Sequence, residues 1–114
     1  MEDIDQDLTV ADLDPAAPVP EGMAVLDVRE QEEWDAGHVA GATHIPLGEL
    51  PARIDELPEQ DLLVVCRSGG RSARATAWLN HSGFEARNLD GGMKGWETAG
   101  LPLTTEDGAA PRIL

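Results

Sequence analysis

The run Leu62-Leu63-Val64-Val65 constrains this chain more than any other segment. It is β-like and apolar at every position, the pattern of a central strand covered on both faces rather than of a half-exposed one. Such a strand requires helices above and below it, and the flanking sequence offers them. Gly22 to Val28 is a second short apolar run, followed by one or two helical turns over Glu30 to Trp34 that stop at Gly37. His38 to Ile45 predicts another strand leading into Pro46, and Leu47, Leu50, Ile54 and Leu57 recur at helical spacing, with Pro51 near the start of that helix. Arg71 to His81 predicts a helix with Ala73, Ala75, Ala77 and Trp78 available for packing and Gly83 just past its end. Phe84 to Leu89 is the last strand candidate, and Gly91-Gly92 turns the chain into a short helix over Met93 to Glu97. Strands alternating with helices imply a parallel α/β sheet.

The 114 residues suit one domain able to bury a core without staples. Cys66 is the only cysteine, which excludes an internal disulfide, and no Cys/His cluster stands at zinc-ligand spacing. A structural zinc site therefore has nothing to build on. The start, Met1-Glu2-Asp3-Ile4-Asp5, has none of the basic residues or apolar run of a signal peptide, and no apolar stretch has membrane-spanning length, so a cytoplasmic location is expected. A net charge of -14 argues against nucleic acid or anionic membranes as partners. Three of the eight basic residues, Arg67, Arg71 and Arg74, fall within nine residues beginning at Cys66. The scarce positive charge therefore gathers beside the cysteine.

Cys66 ends the central strand and opens the loop Cys66-Arg67-Ser68-Gly69-Gly70-Arg71. The carboxyl edge of a parallel sheet is where open α/β folds bind ligands. Gly69 and Gly70 allow the backbone to curl so that successive N–H groups point inward as an anion nest, and a helix beginning near Arg71 adds its positive end. With Arg67 and Arg71 nearby, these features favour thiolate over thiol and make covalent group transfer through Cys66 chemically reasonable.

In these residues the sequence resembles the rhodanese family. The resemblance runs through Leu26-Asp27-Val28-Arg29 with Glu33-Trp34, then Gly37-His38-Val39-Ala40-Gly41-Ala42, Ile45-Pro46-Leu47, the Cys66 loop, and Leu89-Asp90-Gly91-Gly92-Met93 with Trp96. It implies a rhodanese-like α/β domain over residues 9–103, with a five-stranded, mainly parallel sheet flanked by helices. Residues 1–8 are then an acidic N-terminal segment and residues 104–114 a flexible C-terminal tail. It further implies sulfurtransferase activity of the thiosulfate type, with no metal or organic cofactor. Sulfane sulfur would pass from a small anionic donor through a Cys66 persulfide to cyanide, a thiol, or a protein acceptor. The amides of Arg67, Ser68, Gly69, Gly70, Arg71 and Ser72 would hold the persulfide, with Arg67 and Arg71 attracting the donor. Asp27 and Arg29 match family positions and are expected to support the architecture by pairing with turn backbone or each other. His38 is expected to be held in a turn by hydrogen bonds.

Two alternatives belong beside this reading. A sulfur carrier or interaction module for a protein partner would keep the same cysteine. A phosphatase or arsenate reductase on the same fold would carry one residue more in the loop, whereas Cys66 to Arg71 is six residues long.

Overall fold

The computed structural model describes residues 7–114. Four parallel strands, β1 (Met23–Asp27), β2 (Thr43–His44), β3 (Asp61–Val65) and β4 (Ala86–Asn88), form one sheet in the order β2-β1-β3-β4. Three α-helices accompany them, α1 (Gln31–Ala36), α2 (Gly70–His81) and α3 (Gly92–Thr98). The apolar run that opened the sequence argument becomes β3, pairing with β1 on one side and β4 on the other. Among the described residues no helix is long and apolar enough to cross a membrane.

Period-two alternation divides the core. Leu63 and Val65 face one buried cluster with Val25, Met93, Trp96 and Ile113, while Leu62, Val64 and Cys66 face the other with Leu26, Val28, Ala75 and Leu79. Cys66 is thus placed by register on the α2 side of the sheet. Leu26, Leu62, Leu63, Val64, Val65 and Leu79 are all fully buried, and each contributes about 1.5–3 kcal/mol relative to exposure.

Among the described residues the sheet has four strands where five were expected. The edge next to β4 carries, among the described residues, one parallel bridge, Leu8 to Leu89, closed by Leu8 N donating to Asn88 O at 2.9 Å and Asp90 N to Leu8 O at 2.7 Å. Pairing stops there because Asp12 Oδ2 accepts from Thr9 N at 2.8 Å and folds the next residues into a 3₁₀ turn over Val10–Asp12. The strand expected over His38 to Ile45 shortens to Thr43–His44, since Gly41 adopts φ +81° and turns the chain before the pairing begins. The helix expected from Leu47 onward is instead two 3₁₀ helices, Leu47–Glu49 and Pro51–Glu56, the second kinked at Arg53. Pro51 has no N–H to continue an α ladder.

Helix α2 buries Ser72, Ala75, Thr76 and Leu79, while Ala73, Ala77 and Trp78 turn outward. Its phase is tied to Ser72, which faces inward toward Cys66, so the apolar residues one position off that face meet solvent. Residues 104–114, expected as a loose tail, return along the domain. Thr104 bridges His38, Arg112 N donates to Ala36 O at 2.9 Å, and Ile113 is buried in the α3-side cluster.

Candidate active site

Strand β3 delivers Cys66 to the carboxyl edge of the sheet, where the chain must reverse into α2 within a few residues. Gly69 makes the reversal with φ +110°, a region that L side chains rarely enter. Gly70 does not share that conformation and is already the first residue of α2. One glycine therefore forms the curl, and the other begins the helix.

The curl wraps the sulfur. Gly69 N donates to Cys66 Sγ at 3.1 Å, Ser72 N lies 3.4 Å from it and Ser72 Oγ 3.3 Å. Burial pushes the Cys66 thiol up, but hydrogen bonds from the Ser72 hydroxyl and from the amides of Ser72, Gly69 and Ser68 outweigh it and hold the pKa below that of an ordinary thiol. Donors aimed at one point from a preformed loop stabilise negative charge without reorganisation.

The far side of the loop is locked by backbone. Met93 N donates to Cys66 O at 2.8 Å and Lys94 N to Arg67 O at 2.9 Å, so the first turn of α3 caps the loop's carbonyls. Gly92 must be small to allow this approach, because a Cβ there would stand 2.5 Å from Cys66 O and 2.6 Å from Arg67 O.

The two loop arginines expected to attract a donor are both engaged elsewhere. Arg71 forms a two-bonded ion pair with Glu33 of α1, NH1 to Oε1 at 2.8 Å and NH2 to Oε2 at 2.9 Å, which holds the Glu33 carboxyl at about 2. Arg67 donates through Nε to Leu114 O at 2.7 Å. Arg71 still acts on Cys66 through its charge. Asp27 and Arg29 pair as expected, with Arg29 Nε and NH2 on the Asp27 carboxylate at 2.9 and 2.7 Å, Arg29 N on Asp27 Oδ1 at 3.1 Å, and NH2 also on Gly37 O at 2.8 Å. Both side chains are fully buried and belong to the frame that joins β1 to the turn after α1. His38 is held by Trp34 O and Glu106, its ring stacked on Trp34 at 3.6 Å.

Sequence reasoning missed Glu33 as the partner of Arg71, and missed Asn88. Asn88 is buried at the end of β4, with Oδ1 2.5 Å from Ser72 Oγ and Nδ2 3.3 Å from Gly69 O. A polar residue at the inward parity of Phe84 and Ala86, two residues before Asp90-Gly91-Gly92, was the available signal. Among the described residues no group of three or more His, Cys, Asp or Glu side chains is placed to hold a metal ion.

A rhodanese-like domain model matches residues 11–99. The chain belongs to the rhodanese family. Among its curated rhodanese relatives, YrkF of Bacillus subtilis, provisionally named a sulfur carrier protein, is 42% identical over 78 residues, covering 67% of this chain and 42% of YrkF. A protein of Allochromatium vinosum named sulfurtransferase is 34% identical over 90 residues, covering 77% of this chain and 84% of that protein. The chain thus spans less than half of YrkF but most of the Allochromatium protein. The rhodanese-related protein of Thermoplasma volcanium superposes with a TM-score of 0.79 at 31% identity, covering 89% of this chain and 99% of that one. The rhodanese fold and its α/β architecture are therefore shared along nearly the whole length.

Proposed function

We propose that this protein is a sulfurtransferase that carries sulfane sulfur on Cys66. The observation that carries the reading is the convergence of the Gly69 amide, the Ser72 amide and the Ser72 hydroxyl on one buried sulfur whose pKa is lowered. In the proposed cycle the Cys66 thiolate forms a bond to the outer sulfur of thiosulfate. The S–S bond of the donor breaks and sulfite leaves with its electron pair. The terminal sulfur of the Cys66 persulfide, itself an anion, is then held by the loop amides from Arg67 to Ser72. Cyanide or a thiolate attacks that outer sulfur, thiocyanate or an acceptor persulfide departs, and the Cys66 thiolate returns. The relatives named sulfurtransferase and sulfur carrier support sulfur movement as the class of reaction.

The phosphatase reading fits less well. A tetrahedral oxyanion is bound in two-bonded fashion by an arginine free to face it, and Arg71 already spends its paired donors on Glu33. The loop from Cys66 to Arg71 also has the six-residue length associated with sulfur transfer.

Intact-mass measurement after thiosulfate treatment should show one added sulfur, removed by cyanide with release of thiocyanate. An unmodified mass, or equal turnover by Cys66→Ser, would sink the proposal. Cys66-dependent hydrolysis of a generic phosphate ester, with none of the thiosulfate chemistry, would reverse it in favour of the phosphatase.

A further inference from the structure

Ser72 Oγ has two neighbours that both call on its hydroxyl: Cys66 Sγ at 3.3 Å and Asn88 Oδ1 at 2.5 Å. A serine hydroxyl has one proton to donate. The orientation of the Asn88 amide is settled by its other contacts, since Nδ2 faces Gly69 O at 3.3 Å and the Asp7 carboxylate at 3.2 Å, both acceptors only. Turning the amide over would set Oδ1 against both of them. Oδ1 therefore stays toward Ser72, and the short contact between the two oxygens requires the Ser72 proton to lie between them. Toward the sulfur, Ser72 Oγ can then only accept, which it does from a Cys66 thiol.

We infer that Asn88 is a positioning residue that competes with Cys66 for the single Ser72 proton and so sets how strongly the thiolate is stabilised. The inference rests on the sulfurtransferase reading only in taking the thiolate as the working form. Two arrangements follow. With the thiol, the S–H bond points to Ser72 Oγ and the Ser72 proton to Asn88. With the thiolate, the sulfur proton has gone to solvent, the Ser72 hydroxyl turns to Sγ, and the contact with Asn88 Oδ1 opens. The hydroxyl's contribution to the lowered thiol pKa is thus diminished by the bond it gives up.

This restraint has a use. Nucleophilicity of a thiolate falls as its pKa falls, so a sulfur held too tightly attacks slowly. Asn88 keeps the sulfur acidic enough to ionise yet basic enough to react. The other charged groups around it do not duplicate that role. Arg71 stands by the sulfur on its own loop, Glu33 of α1 neutralises that arginine, Asp7 fixes Asn88 from the segment beside β4, and Lys94 with Glu97 of α3 lies on the Arg67 side.

The test is the pH profile of Cys66 alkylation by iodoacetamide, which needs no sulfur donor and so separates this proposal from the one it rests on. Asn88→Ala and the similarly shaped Asn88→Leu should shift the midpoint down by about one pH unit, the scale of one hydrogen bond, and lower the limiting rate at high pH. Ser72→Ala should shift it up. Adding Asn88→Ala to Ser72→Ala should leave the midpoint where Ser72→Ala put it. A midpoint in folded Asn88 variants at or above that of the wild type, or an Asn88 effect that persists without the Ser72 hydroxyl, overturns the inference. In the unaltered protein at acid pH, the S–H infrared stretch should show a hydrogen-bonded thiol, and a free S–H would overturn it equally.

Discussion

Arg71 and Glu33 meet in a two-bonded ion pair that ties the last residue of the cysteine loop to helix α1, a segment 38 residues earlier. The pair is partly buried, with 30% and 15% of the two side chains exposed, so it is better shielded than an ordinary surface bridge. It makes α1 part of the frame around Cys66. It also reduces the net positive charge that a donor meets there. Arg71→Ala removes the charge that acts on Cys66 and leaves the Glu33 carboxylate uncompensated beside the loop, so it should raise the KM for thiosulfate by about tenfold, the scale of one charge–charge interaction at a partly shielded site, while the melting temperature falls only modestly. An unchanged KM would remove Arg71 from donor recognition.

The same pair gives stability a pH dependence. Hydrogen bonding from Arg71 lowers the Glu33 carboxyl from 4.5 to about 2, so its contribution to stability is complete above 4.5 and disappears as pH falls through about 2. Between those values the protein should lose melting temperature, and Glu33→Gln should lose less across that window than the unaltered protein. Parallel acid slopes for the two would show that the pair contributes nothing to this dependence.

Asp27 and Arg29 make a fully buried pair, and removing either partner strands the other charge without water. Asp27→Ala should cost about 3–5 kcal/mol of folding stability. Because neither side chain hydrogen-bonds Cys66, each molecule that remains folded should still take up one sulfur from thiosulfate. A stable variant unable to accept sulfur would instead place Asp27 in the chemistry.

Gly92 sits at φ +57° against the carbonyls of Cys66 and Arg67. Gly92→Ala adds a Cβ where backbone oxygens leave no room, in a conformation that disfavours it. The expected loss is about 2–4 kcal/mol, from backbone strain and overpacking together. Since α3 must move away from the loop to admit the methyl group, the alkylation rate of Cys66 should change along with stability. Gly91→Ala is the contrasting case: its backbone is also at positive φ, but nothing lies within 4 Å of its Cβ, so it should show the strain with little change at Cys66.

Much of the site was legible because its chemistry is local. Cys66 through Ser72 is one contiguous stretch, and an apolar strand followed by a glycine and a helix leaves few ways to run the backbone. The strand alternation also decided which sheet face Cys66 would join, since it shares parity with Leu62 and Val64. The apolar spacing after Pro46 was less informative, because it records which residues approach the core and not whether the ladder between them can survive Pro51.

The sequence by itself determined the alternation of strands and helices, the central β3, and a cysteine at its carboxyl end with amides curled about it. Only the tertiary structure decided what competes for those groups: Glu33 for Arg71, Leu114 for Arg67, and Asn88 for the Ser72 proton. It likewise decided that Leu8 bridges Leu89 at the edge next to β4, that Trp78 faces outward, and that Ile113 returns to the core. Each of these depends on distances between segments far apart in the chain. Residue type and spacing record what a side chain can do, and the packed path of the backbone selects the neighbour with which it does it.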